Sequence, residues 1–139
     1  MSSTQDFKEF DFSKLILGAA QFGSDYGVSN LIGETTKNEV NKILTIAEKN
    51  NIKLIDTSAE YRNSETKIGK ANLKKISAIT KLSPLPDHIN ENQIANWALS
   101  CVESSSKKLK VTKIHTLLIH KVSDLRGKRG EILYKSLID

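Results

Sequence analysis

Lys53-Leu-Ile-Asp-Thr-Ser58 is a short apolar run that ends on an aspartate and lies between two stretches with helical periodicity. Apolar runs of this length, set between helices, suit the buried strands of a parallel sheet. Upstream, Thr36-Lys-Asn-Glu39 has the form of a capping box, and Val40, Ile43, Leu44 and Ala47 follow at i, i+3, i+4 and i+7. A helix therefore starts at Thr36, and Asn50-Asn51 can end it. Downstream the alternation repeats: a short helix around Ser64 to Ala71, a strand Ser77-Ala-Ile-Thr-Lys-Leu82, and a loop marked by Pro84 and Pro86. The next helix opens at Asn90 with Gln93 three residues on, and Ile94, Trp97, Ala98, Cys101 and Val102 form one stripe. A lone aromatic at that spacing packs inward, so Trp97 and Cys101 read as core. Lys113-Ile-His-Thr-Leu-Leu-Ile-His120 is a further strand, followed by a loop with Gly127 and Gly130 and a helix from about Glu131. At the other end, Lys14-Leu-Ile-Leu-Gly-Ala-Ala20 reads as the first strand, with a glycine-containing loop from Gln21 to Gly33. Strands alternating with helices along the chain call for a parallel α/β architecture of about four β/α units.

The chain of 139 residues can hold one domain, expected over residues 1–139. A hydrophobic fraction of 38 % with 27 % charged residues is that of an ordinary globular protein, and no run is long enough to span a bilayer. Met1 to Phe12 is polar and acidic and lacks the pattern of a secretory signal, so a cytoplasmic location is expected. The single cysteine, Cys101, excludes an internal disulfide and a CxxC pair. The net charge of +5 is spread over the chain, with short groups at Lys107-Lys108-Lys110 and Arg126-Lys128-Arg129. Without aromatic interleaving this reads as solvated surface and predicts no nucleic-acid partner. The histidines fall on different faces or elements. His115 reads as structural and His88 as exposed, and no metal site is expected.

Residues two apart on a strand share a face. Leu54 pairs in this way with Asp56, Ile79 with Lys81, and Leu118 with His120. If these faces line a barrel, then Asp56, Lys81 and His120 stand at its C-terminal rim, where barrel enzymes place their catalytic groups. Tyr61 lies just beyond the second strand. An ammonium beside a phenol favours its ionised form electrostatically, and a carboxylate can hold that ammonium charged and oriented, so the four residues suit a proton-transfer site.

Ile55-Asp-Thr-Ser-Ala-Glu-Tyr61, with Asn63-Ser-Glu65 and Ile68-Gly69, resembles the signature of the aldo-keto reductase family. Leu17-Gly-Ala-Ala-Gln-Phe-Gly23, Ile79-Thr-Lys81 and Leu117-Leu-Ile-His120 are similar to that family's first, lysine-bearing and histidine-bearing strands. Gln21-Phe-Gly with Asp25-Tyr-Gly27 further resembles bacterial members associated with surface-polysaccharide biosynthesis. The resemblance implies the N-terminal half of a (β/α)8 TIM barrel, not closed by this chain, since a whole barrel takes ~250 residues. It implies reduction of a carbonyl substrate, aldehyde, ketone or sugar-like, by the hydride of NADPH, with NADP or else NAD as the cofactor. Tyr61 would be the general acid, Lys81 and Asp56 would tune it, and His120 would orient the carbonyl. Gly18, Ala19 and Asp56 would border the cofactor.

The sequence departs from the family at two places: Arg62 stands where glycine commonly follows the tyrosine, and Ala19 or Ala20 where threonine is frequent. A cation at the rim fits an anionic or phosphorylated sugar-like substrate. The family holds the cofactor's phosphates with loops from the last barrel strands, and neither GxGxxG nor GxxxxGK[ST] occurs here. A half-barrel also leaves two strand edges unpaired, which predicts self-association through the open edge. The alternative function is thus a truncated, non-catalytic fragment, or a regulatory or binding module on the same scaffold.

Overall fold

The computed structural model describes residues 11–27, 30–31, 33–71 and 75–138. The polar start expected to lack a secretory signal lies outside these residues, apart from its last two positions. Four strands, β1 (Ile16–Gly18), β2 (Leu54–Asp56), β3 (Ser77–Leu82) and β4 (Thr116–Ile119), form one sheet in which the spatial order is the sequence order. All three pairings are parallel, in registers that set Gly18 beside Asp56, Asp56 beside Ile79 and Lys81 beside Leu118. Five helices accompany them: α1 (Ala20–Gly23), α2 (Lys37–Lys49), α3 (Ser64–Lys70), α4 (Ile94–Leu109) and α5 (Gly127–Ile138). Short 3-10 turns precede β1, open α4 and follow β4.

The helix signals in the sequence operate as physical caps. Thr36 Oγ1 accepts from the Glu39 N–H at 3.3 Å while Glu39 Oε2 accepts from the Thr36 N–H at 2.9 Å. The Thr36 hydroxyl also donates to Glu39 Oε2 at 2.7 Å, and that bond first, then the one from the Thr36 N–H, holds the Glu39 carboxyl below the usual carboxylate range. Asn50 ends α2 through its side-chain amide, which donates to Ile46 O, and Asn51 follows in the left-handed region. Asn90 and Gln93 form a second capping box one turn before α4.

The core lies on one side of the sheet. Ile55 and Ala78 pack with Ala19, Phe22, Val40, Leu44, Ile68 and Leu109 in one cluster. Leu82 joins Leu85, Ile94, Ala98 and Leu133 in a second, against which Leu117 and Ile119 rest. Trp97 and Cys101 border this second cluster half-buried, rather than inside it. On the opposite face Ile16 is 51 % exposed and Leu118 41 %, whereas Ile55 on the helix side is fully covered. Parallel sheets normally bury both faces, so a sheet this exposed at its outer strands, with Ile79 buried between them, has the form of an open barrel wall, and the four strands do not close.

The element boundaries differ from those read in the sequence in three ways. Ala20–Gly23 is a helical turn rather than loop, because Phe22 and Gly23 are buried against the neighbouring elements. α5 starts at Gly127, four residues early, since Gly130 lies within it and packs its Cα against the Leu125 backbone. The strands are shorter than their apolar runs: the ladder reaches only Ile16–Gly18 and Thr116–Ile119 at the outer edges. Of the cations read as solvated, Arg129 is tied down, donating to Pro86 O and Asp87 O at 2.8 and 3.0 Å.

Candidate active site

Asp56 is the last residue of β2, Lys81 the penultimate residue of β3, and His120 the residue after β4, so each reaches the same rim of the sheet. Lys81 Nζ turns back to Asp56, at 2.8 Å from Oδ1 and 2.7 Å from Oδ2, and donates to Thr57 O at 3.0 Å. An ammonium has three protons, and these three acceptors use them all. The pair is only partly shielded, with side-chain exposures of 18 % and 33 %.

Tyr61 is carried by a tight turn. Its N–H donates to Ser58 O at 3.1 Å and its carbonyl accepts from the Ser64 N–H at 2.9 Å, while the Glu60 N–H donates to Ser58 Oγ at 3.1 Å. Serine hydroxyls close such turns by bonding to the backbone two residues on. Arg62, with φ of 43°, continues the turn in a region that favours glycine, and its side chain is exposed. Lys81 Nζ sits 5.1 Å from the Tyr61 ring centroid, within cation–π range, so it addresses the phenol through its ring face. The His120 ring meets Tyr61 edge-on, with centroids 6.3 Å apart and planes at 76°, and its Nδ1 is 3.0 Å from Ser58 Oγ.

Below this rim lies a buried polar layer that sequence reasoning left without roles. Thr57 Oγ1 and Ser64 Oγ are 2.9 Å apart, and Ser64 Oγ donates to Ala19 O at 2.8 Å. Glu65, fully buried, accepts from Thr80 Oγ1 at 2.7 Å through Oε1; its Oε2 has no hydrogen bond and faces Lys108 Nζ at 3.9 Å. These residues fix α3 to β1 and β3, and so fix the turn that bears Tyr61. The alternation rule could not find them, since their contacts bridge separate elements.

The structure thus brings Asp56, Tyr61, Lys81 and His120 to one mouth. Gly18 is exposed beside Asp56, and a Cβ built on it would meet nothing within 4 Å, which leaves an open floor suited to a planar ring. Ala19 stands behind them: its methyl is in the core, its N–H donates to Asp56 O and its carbonyl is taken by Ser64. The donors and the open floor fit the nicotinamide end of a cofactor, and nothing among the described residues forms a glycine-rich phosphate cradle. Among the described residues no three His, Cys, Asp or Glu side chains converge as a metal site, His115 Nδ1 bonds Thr116 Oγ1, and His88 is exposed. No helix among them is long and apolar enough to cross a membrane.

The sequence matches the model of the aldo/keto reductase family over residues 14–125. A search of curated proteins found no match. Among solved structures, the chain is similar to an assigned aldo-keto reductase from Pseudomonas aeruginosa (TM-score 0.65, 23 % identity, 88 % of this chain and 48 % of that one). A second structure so described from the same organism gives a TM-score of 0.63 at 20 % identity, over 95 % of this chain and 53 % of the other. An aldo/keto reductase from Brucella melitensis gives 0.55 at 19 %, over 88 % and 42 %. At these identities the likeness carries the fold, and the chain spans about half the length of the structures it matches.

Proposed function

Because this chain belongs to the aldo/keto reductase family, we propose that its rim residues perform the reduction of a carbonyl to an alcohol, with the reduced dinucleotide NADPH, or NADH, as hydride donor. The observation that carries the reading is the Lys81–Asp56 pair set under the face of Tyr61, with His120 at the phenol's edge. When bound, the nicotinamide supplies the hydride for the carbonyl carbon. Tyr61 gives its hydroxyl proton to the carbonyl oxygen, and the charge left on the phenol oxygen is stabilised by the ammonium of Lys81. Lys81 spends its protons on Asp56 and Thr57, so it acts on Tyr61 by charge and not by a hydrogen bond. Asp56 fixes where that charge sits. His120 binds the same carbonyl oxygen and sets its direction. Gly18 and Asp56 border the nicotinamide ring, and Ala19 supports them from the core.

Exposed Arg62 beside Tyr61 favours an anionic, sugar-like carbonyl substrate. A cytoplasmic location is part of the same proposal, as is the surface-polysaccharide association. The second reading is a chain without turnover, or a binding module, until its open face is covered, with self-association as one means of covering it. The exposure of Ile16 and Leu118 and the half-length match favour it. A titration with NADPH, followed by nicotinamide fluorescence together with molar mass in solution, separates the readings. Saturable binding, and carbonyl reduction abolished in Tyr61→Phe, support the reductase. No binding at millimolar cofactor leaves the second reading.

A further inference from the structure

Ser58 is fully buried, yet its Oγ contacts an exposed ring of the site. Two bonds involve this oxygen: it accepts from the Glu60 N–H at 3.1 Å, and it lies 3.0 Å from His120 Nδ1. A hydroxyl has one proton and two lone pairs, and a neutral imidazole carries a proton on one nitrogen only. If Nδ1 held that proton, Ser58 Oγ would accept twice, and its own O–H would need a third partner. Among the described residues it has none, and its burial keeps water away. If instead Ser58 donates to Nδ1, every proton and lone pair at this contact is accounted for, and the imidazole proton must lie on Nε2.

We propose that Ser58 is a positioning residue that locks His120 as the Nε2–H tautomer, so that the ring presents a hydrogen-bond donor at the mouth. The use of that donor, to hold a carbonyl oxygen, rests on the proposed reduction; the tautomer itself does not. Ser58 also holds Tyr61, because its carbonyl accepts the Tyr61 N–H at 3.1 Å. One buried residue therefore sets both groups that would meet the carbonyl oxygen, Tyr61 through the backbone and His120 through the side chain. The unpaired hydroxyl of the alternative arrangement biases the tautomers by roughly tenfold or more.

The test is long-range 15N–1H correlation NMR of the whole chain with ring-15N histidine, at a pH where the imidazoles are neutral. The sequence has three histidines, and the signal lost in His120→Gln identifies the one of interest. The expected spectrum shows His120 with unprotonated Nδ1 and protonated Nε2, and in Ser58→Ala the Nδ1 resonance moves toward the average of exchanging tautomers. Protonated Nδ1 in the unsubstituted chain overturns the proposal without recourse to any variant. A Ser58→Ala spectrum identical to the parent's overturns it too, since the lock would then lie elsewhere. Because the readout needs neither cofactor nor turnover, absent NADPH binding beside the expected spectrum would end the reductase reading and leave the role of Ser58 standing.

Discussion

Gly23→Ala tests how the site is held. A Cβ at Gly23 would stand 1.7 Å from Tyr61 O, 2.7 Å from Ser64 N and 2.8 Å from Tyr61 C, where ordinary contact begins at 3.4 Å. The obstacle is backbone, so relief requires the Tyr61 turn to move by about 1.7 Å, far beyond rotamer adjustment. Overpacking of this kind costs about 1–3 kcal/mol, and the strained Ser64 N–H to Tyr61 O bond adds about 1 kcal/mol. Alanine's better helix propensity returns at most about 1 kcal/mol. The net expectation is a loss of about 2 kcal/mol, which lowers the urea midpoint by about 1 M at an m-value of roughly 2 kcal/mol/M. Gly18→Ala is the matched control, because nothing lies within 4 Å of its added methyl, and it should leave stability within about 0.5 kcal/mol. The assay is urea unfolding by far-UV circular dichroism for both variants beside the parent. Equal midpoints for Gly23→Ala and the parent would refute the claim that α1 abuts the tyrosine turn. Where turnover is measurable, a displacement of about 1 Å at Tyr61 should cost on the order of a hundredfold in kcat.

Thr36→Ala removes the α2 cap and should cost about 1 kcal/mol. Since Glu39 is held below its unfolded value by Thr36, its contribution is present above the unfolded value and lost as pH falls through the lower folded one. The acid limb of a pH–stability profile should therefore flatten in Thr36→Ala; an unchanged limb would show that the capping box does not operate. Burial pushes the Cys101 thiol up, Glu60 adds to it, and Lys108 and Ser100 oppose them only in part. The native thiol should react slowly with a disulfide reagent at neutral pH and much faster in urea, and rapid native labelling would contradict this.

Much of the architecture was legible because its determinants are local. The Thr36 capping box, the apolar face of α2 and strand Ser77–Leu82 each appear where sequence periodicity set them. The glycines misled for a stated reason: Gly23 and Gly130 serve close approach of backbones, a need that only the folded partner reveals. The site was legible where alternation operates, so that Asp56, Lys81 and His120 could be placed on one rim from their strands alone. Ser58 lies past the end of β2, and its partner is 62 residues away in sequence. No local period encodes such a contact. The same holds for Glu65, which is buried and meets Thr80 from a separate element.

The strand order β1-β2-β3-β4 bears on synthesis. Each strand pairs with the one made just before it, so a ribosome releases every new strand toward a partner that has already emerged. Among the described strands none waits for a distant segment to gain its first neighbour, and at each stage the growing end offers a single fresh edge. Vectorial assembly of this sort keeps the interval in which β2 or β3 lies unpaired short, and confines the hazard of wrong pairing to the outer edges of β1 and β4.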